Sequence, residues 1–268
     1  MSSFIHIILR LLVAALLLPP SLCAEPLPAQ SFEQLKQQIT ARYAGKQPTE
    51  WGESVTGVRS HLDTKDKIIA LTFDACGSST GKKFDARLIE FLMRKRIPAT
   101  LFVNARWIDA NSELFRSLAA NPLFEIANHG TRHKPASLNG RSAYGIAGTR
   151  DAEELFEEIE LNARKIENIS GNRPKLYRSG TAYYDELAVK ISGELEHQVA
   201  GYSILGDAGA TFSAAQVEAA LLRAVPGDIA LLHMNHPESG TAAGVMAAVP
   251  KLEKKGFRFV KMSDCPLK

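Results

Sequence analysis

A chain of 268 residues that is 45% hydrophobic and 23% charged can bury a full core, which excludes a disordered or low-complexity class. Its length fits one globular domain with additions. A formal charge of only +3 implies no polyanionic partner, so no nucleic-acid partner is expected.

The chain opens on MSSFIHIILRLLVAALLLPPSLCAEP, with a lone Arg10, an apolar stretch through Leu18, and small residues around Ser21, Cys23 and Ala24. This pattern reads as a secretory signal peptide over residues 1–24. The apolar stretch is short against the roughly 20 residues of a membrane span. Prolines follow it at once, so no stable membrane insertion is expected after cleavage. The mature chain is expected to be secreted, with the periplasm as its compartment. It keeps Cys76 and Cys265, an even number in an oxidising compartment, which makes a single disulfide an expectation.

Residues 25–65 read as an N-terminal extension. Ser31 and Gln34 suggest a capping box, and Phe32, Leu35, Ile39 and Tyr43 form a narrow helical stripe. From 66 to 268, short β-rich runs alternate with amphipathic segments. Strands are expected at KIIALTF, ATLFVN, FEIAN, KLYRS, VAGYSIL, DIALLHM and FRFVKM. Such alternation predicts an α/β fold with a parallel sheet or barrel. Asp151 with Glu154 and Ser213 with Gln216 mark two helix starts. Gly256 closes a last helical segment, in which Pro250 predicts a kink or break.

Most of these runs end on a residue with chemical capacity: Asp74, Asn104, His129, Arg178, Asp207 and His233. In parallel α/β folds the C-terminal strand edge is where sites are built, because the loops converge there. His129 and His133, at i and i+4, would share one face of a helical turn, from which both imidazoles reach one divalent ion. A core or capping role is the plain alternative. Asp74 ends an apolar run as a base, a ligand or a cap. Arg178 would orient it, or form an ordinary surface ion pair. His233 is a candidate acid, since imidazole titrates near neutrality, and its alternative is structural. CGSSTGKK is no phosphate loop, because Cys76 stands where the first glycine belongs and Lys83 where Ser or Thr belongs.

The ordered set TFDA, HGTRH, YRSGTAYYD, GDAG and LLHMN resembles the polysaccharide deacetylase family with its NodB-homology domain. The resemblance covers about residues 66 to 264. It implies a distorted (β/α) barrel and the removal of acyl groups, usually acetyl, from N-acetylated sugars of chitin-like polymers, peptidoglycan or related glycans. It makes Asp74 the base, His129 and His133 metal ligands, Arg178 the partner that positions Asp74, and His233 the acid. Asp207 falls where the family has an aspartate that tunes the acid. Thr181 stands where backbone donors would hold an oxyanion, with Tyr183 and Tyr184 available to stack on sugar rings. The implied cofactor is a divalent metal, with zinc the expected ion, and the implied partner is an acetylated glycan.

Two departures stand out. Ala75 occupies the place of the family's second, metal-binding aspartate, and the third motif lacks its usual prolines. In a closed barrel Cys76 and Cys265 would follow neighbouring strands and could form a disulfide; Cys76 could instead replace the lost aspartate as a thiolate ligand. The alternatives to a deacetylase are a catalytically inactive carbohydrate-binding protein on the same fold, and an amidohydrolase of a small non-sugar C–N substrate.

Overall fold

The computed structural model describes residues 31–77 and 82–268; the expected signal peptide lies outside them. Helix α1 (Phe32–Tyr43) precedes β1 (Ile68–Ala75), followed by α2 (Ala86–Lys95), β2 (Ala99–Val103), α3 (Ala105–Ala110), α4 (Ser112–Ala119) and β3 (Phe124–Asn128). Then come the long α5 (Ala152–Ser170), β4 (Leu176–Tyr177), α6 (Glu186–Glu194), β5 (Gln198–Val199), β6 (Ile204–Leu205), α7 (Ala214–Leu221), β7 (Ile229–His233), α8 (Thr241–Lys254) and β8 (Arg258–Val260). The strands pair in parallel in the order β5-β4-β3-β2-β1-β7-β6, with β8 against the start of β1. The sheet curls into a distorted (β/α) half-barrel with its helices outside, the architecture expected from the sequence.

β1 explains why the run IIALTFDA is almost wholly apolar: all eight of its residues are buried, since both faces of a central parallel strand are covered. Side chains alternate across it. Phe73 and Ala75 join the layer of Leu88, Leu92, Val245 and Val249 under α2 and α8. Thr72 and Asp74 face the other way, to the barrel interior, where both meet Arg178.

The expected strand VAGYSIL is divided. β5 pairs only with β4 and β6 only with β7, so the two lie at opposite edges of the sheet. The chain crosses the opening between them at residues 200–203. There the Arg178 guanidinium takes the carbonyls that a continuous ladder would have used, donating Nε to Ala200 (3.1 Å) and Nη2 to Gly201 (2.9 Å). The N-terminal extension helps to close the same gap, because the Arg59 amide donates to the Val199 carbonyl (2.9 Å) and the Gly201 amide to the Arg59 carbonyl (2.8 Å). Helix α1 lies on α5, with Phe32 edge-on to Phe156 at 5.0 Å, and Gly52 exchanges both backbone hydrogen bonds with Tyr184.

The helix starts expected at Asp151 and Ser213 both cap, Ser213 and Gln216 forming a reciprocal box. Helix α8 runs through Pro250 as one element. Its buried face, with Val245, Ala248, Val249 and Leu252, holds it in place where the proline removes one donor.

The expected disulfide is corrected: Cys76 and Cys265 are both free. β8 pairs only with Ile68, Ile69 and Ala70, and the chain then passes under the start of the sheet, where Met262 donates its amide to Thr100 Oγ1. Six residue steps of extended chain run from Ala70 to Cys76, about 20 Å at roughly 3.3 Å each. A disulfide needs Cα atoms within about 7 Å.

Candidate active site

Parallel register brings the chemical strand ends to one edge. Asp74 lies opposite His233 on β7 and Phe102 on β2, and Asn128 lies opposite Tyr177. Asp74 is only 3% exposed and Arg178 is fully buried. Arg178 Nη1 donates to Asp74 Oδ1 at 2.8 Å and to Thr72 Oγ1 at 2.9 Å. Its guanidinium also stacks 4.1 Å from the Phe102 ring centroid. With Oδ1 so occupied, Asp74 Oδ2 is left facing His129 Nε2 at 3.7 Å.

His129 and His133 do come together, with ring centroids 5.0 Å apart, but not on a helix. The segment 129–133 is a loop in which Gly130 and His133 both have left-handed backbone, φ 72° and 63°. Glycine is required at 130 on two counts, since a Cβ there would lie 2.5 Å from Glu158 Oε1. That same carboxylate holds the loop by accepting the amides of Arg132 (2.9 Å) and Lys134 (3.1 Å). His129 Nδ1 bonds the Arg178 carbonyl at 2.9 Å, which fixes the ring and turns Nε2 toward the pocket.

At the place of the missing aspartate, Ala75 offers no donor and is packed in the apolar layer. The next residue supplies one. Cys76 Sγ lies 3.7 Å from His129 Nε2, and the donor atoms of Cys76, His129 and His133 all lie within 4.8 Å of one another. His133 Nε2 is buried with no hydrogen-bond partner, as a ligand nitrogen awaiting an ion would be. Burial pushes the Cys76 thiol up, but His133, His129 and His233 outweigh it and hold the group well below the usual thiol range. One thiolate and two imidazoles suit zinc, with a position left for water or substrate.

Across the pocket, His233 Nδ1 donates to Asp207 Oδ1 at 2.9 Å, while the His233 amide (2.7 Å) and Thr241 Oγ1 (2.8 Å) bond Oδ2. Burial works against charge on His233, yet the Asp207 carboxylate prevails and raises its pKa well above the ordinary value. Asp207 therefore sits directly behind the imidazole, as the resemblance implied.

Thr181 lines the pocket, its hydroxyl buried without a partner. Gly180 beside it packs so closely on His133 that a Cβ would fall 2.3 Å from the carbonyl carbon. The stacking role expected of Tyr184 is corrected: its ring is fully buried, and its hydroxyl accepts the Ser179 amide. Tyr183 stands instead in an aromatic group with Trp51 (5.8 Å) and Tyr144 (5.4 Å). The pocket holds about 500 Å³ and is also lined by Glu53, Ile146, Tyr202, Leu205 and Leu231.

The sequence reading missed the support behind the histidine loop. Glu154, Glu158 and Asn162 follow one another at i, i+4 and i+8 on α5, and all three are buried. Glu154 takes Lys134 Nζ, Glu158 the loop amides, and Asn162 Nδ2 donates to Asn128 Oδ1 and to the Val103 carbonyl. A polar stripe at helical spacing beside an apolar one was the available signal.

The family model for polysaccharide deacetylase matches residues 61–200. The chain belongs to the polysaccharide deacetylase family. Members of this family are hydrolases of N-acetyl amide bonds and generally use a divalent metal. The chain is 26% identical over 208 residues, 76% of its own length and 90% of the relative's, to a peptidoglycan-N-acetylglucosamine deacetylase of Bacillus cereus. Among solved structures it resembles a family 4 acetyl xylan esterase from Clostridium thermocellum in complex with a cobalt ion (TM-score 0.61, 21% identity, 74% of this chain and 89% of that one). It also resembles a family 4 pseudoenzyme from Bacillus anthracis (TM-score 0.64, 20% identity, 78% and 67%). Both likenesses concern the fold.

Proposed function

We propose that this deacetylase removes acetyl groups from N-acetylated sugars of peptidoglycan or a related polysaccharide after export to the periplasm, with its ion held by Cys76, His129 and His133. The observation that carries the reading is the pair of prepared groups on either side of that donor set. Asp74 has one oxygen fixed by Arg178, and His233 is kept protonated by Asp207. An acceptor and a donor of protons facing one pocket is what amide hydrolysis requires. The leader sequence MSSFIHIILRLLVAALLLPPSLCA supports export.

When bound, a divalent ion supplies Lewis-acid polarisation of the amide oxygen and of the attacking water. Asp74 Oδ2 takes the proton of that water. The Thr181 hydroxyl, unpartnered in the pocket, is placed to donate to the oxygen on which charge develops. His233, bonded through Nδ1 to Asp207, presents its Nε2 proton to the leaving amine. Among the described residues no lysine or arginine side chain lines the pocket, which favours a neutral or cationic substrate over an anionic one.

The test is metal content together with acetate release from N-acetylated chito-oligosaccharides and peptidoglycan. Near one zinc per chain is expected, lost in Cys76→Ala and in the double variant His129→Ala, His133→Ala, but kept in Cys265→Ser. Acetate release is expected to vanish in Asp74→Asn. Glycan binding without acetate release from any substrate, at full metal loading, would replace this reading with that of a carbohydrate-binding protein.

A further inference from the structure

Glu53 lies in the N-terminal extension, outside the family's matched region, yet it lines the catalytic pocket. Its position is fixed by its neighbour Gly52, which exchanges both backbone hydrogen bonds with Tyr184. Two phenols hold its carboxylate: Tyr144 donates to Oε1 at 3.0 Å and Tyr202 to Oε2 at 2.7 Å. Burial and this carboxylate raise the pKa of both tyrosines, so they stay protonated and donating.

Among the described residues Glu53 has no cationic partner. It enters no ion pair, and Arg141, the guanidinium of the adjoining aromatic group, sits 5.1 Å over the Trp51 ring and does not line the pocket. The other carboxylates at the site are matched, Asp74 by Arg178 and Asp207 by His233. Glu53 is therefore the carboxylate of the pocket wall that lacks a cationic partner among the described residues.

The surroundings of that charge are aromatic. Tyr144 stands at the tip of a tight turn in which Ala143 and Ile146 exchange backbone hydrogen bonds, and it remains 73% exposed. Tyr144, Ile146 and Leu205 are three of the six exposed large apolar side chains among the described residues, and all three border this pocket. A carboxylate without a cationic partner beside the exposed Tyr144 ring suits an alkylammonium: the charge pairs with the cation and the aromatic ring adds to the contact. Neutral sugar hydroxyls would leave the charge uncompensated, and an anionic group would be repelled.

We propose that Glu53, Tyr144 and Tyr202 form a subsite for the protonated primary amine of an amino sugar, so that the enzyme favours glycans already carrying a free amine next to the acetylated residue. This rests on the deacetylase reading above. The chain would then act on partly deacetylated polymer, the product of an earlier deacetylation.

The experiment compares fully acetylated chitotetraose with chitotetraose bearing one free amine, in the wild type and in Glu53→Gln, which keeps size and folding. The wild type should show a kcat/KM ratio of about ten-fold in favour of the amine-bearing oligomer, the scale of one ion pair with aromatic contact. In Glu53→Gln the ratio should fall toward one. Equal rates in the wild type, or a preference that survives Glu53→Gln, would overturn the proposal. A second arm needs no catalysis: NMR titration with glucosamine and with N-acetylglucosamine should show tighter binding of glucosamine, abolished in Glu53→Gln. Discrimination in the titration without acetate release would sink the deacetylase reading and leave the subsite standing. Acetate release without discrimination would do the reverse.

Discussion

Replacing Arg178 with methionine tests the central electrostatic claim. Methionine roughly fills the volume but removes the donors of four groups, Thr72 Oγ1 among them. The Asp74 carboxylate loses its 2.8 Å partner while only 3% exposed, the Gly201 carbonyl loses its donor, and the Ala200 carbonyl is left with the Tyr184 hydroxyl at 3.5 Å. Removing one partner of a buried ion pair costs about 3 to 5 kcal/mol. The Gly201 carbonyl adds about 1 kcal/mol or more, and the weakened bonding of Thr72 and Ala200 adds to it. For a chain of this size each kcal/mol is about 2 to 4 °C of Tm, so a fall of 10 °C or more is expected, with loss of activity. Such a loss is a large part of a typical total of about 5 to 15 kcal/mol, so the double variant Arg178→Met, Asp74→Asn is measured beside it. Neutralising Asp74 removes the stranded charge, and the double variant should be more stable than the sum of the single losses implies, by about 2 kcal/mol or more. Urea denaturation of the four proteins completes the cycle. Additive losses, or a cost of Arg178→Met below about 2 kcal/mol, would refute the reasoning.

Three further outcomes are expected. Burial pushes His197 down to about 4, while its Nδ1 is bonded to the Leu195 carbonyl. With the unfolded value near 6.5, the unfolded chain binds more protons between these limits, so stability is full above about 6.5 and is lost by about 3 kcal/mol as pH falls toward 4. Denaturation at pH 7 and pH 4.5 should show a smaller acid loss in His197→Gln than in the wild type; equal losses would exclude the assignment. Gly180→Ala drives a Cβ into the His133 backbone, and a displacement near 1 Å can cost about 100-fold in rate. Metal content and acetate release should both fall in that variant, and retention of both would show that the loop yields freely. Glu158→Leu leaves the amides of Arg132 and Lys134 without their acceptor. It should lower zinc affinity by about ten-fold or more although Glu158 touches no ligand atom of the site; zinc affinity equal to wild type would contradict a supporting role.

Much of the fold was legible because its signals are local. A short apolar run rich in β-formers, such as IIALTF, reads as a central strand, and the structure buries both of its faces; Asp151 or Ser213 before an amphipathic stretch marks a helix start from the local sequence. The strand-end residues Asp74, His129, Arg178 and His233 were legible for the same reason, since parallel strands must deliver their C-terminal ends to one edge. What sequence spacing left open was direction and distance. The i, i+4 histidines meet through a left-handed loop, not a helix, because Glu158 from a distant helix fixes the amides between them. VAGYSIL is one run in sequence and two strands in space, since barrel curvature sends its halves to opposite edges. Cys76 and Cys265 are kept apart by the early end of β8, which frees Cys76 to stand where Ala75 has nothing to offer. Sequence by itself determined which elements form and which edge carries the chemistry, because burial pattern and strand polarity are properties of the local chain. Tertiary structure alone decided which side chains share a pocket, because contacts between residues far apart in the chain depend on the curl of the sheet and on the layer packed behind it.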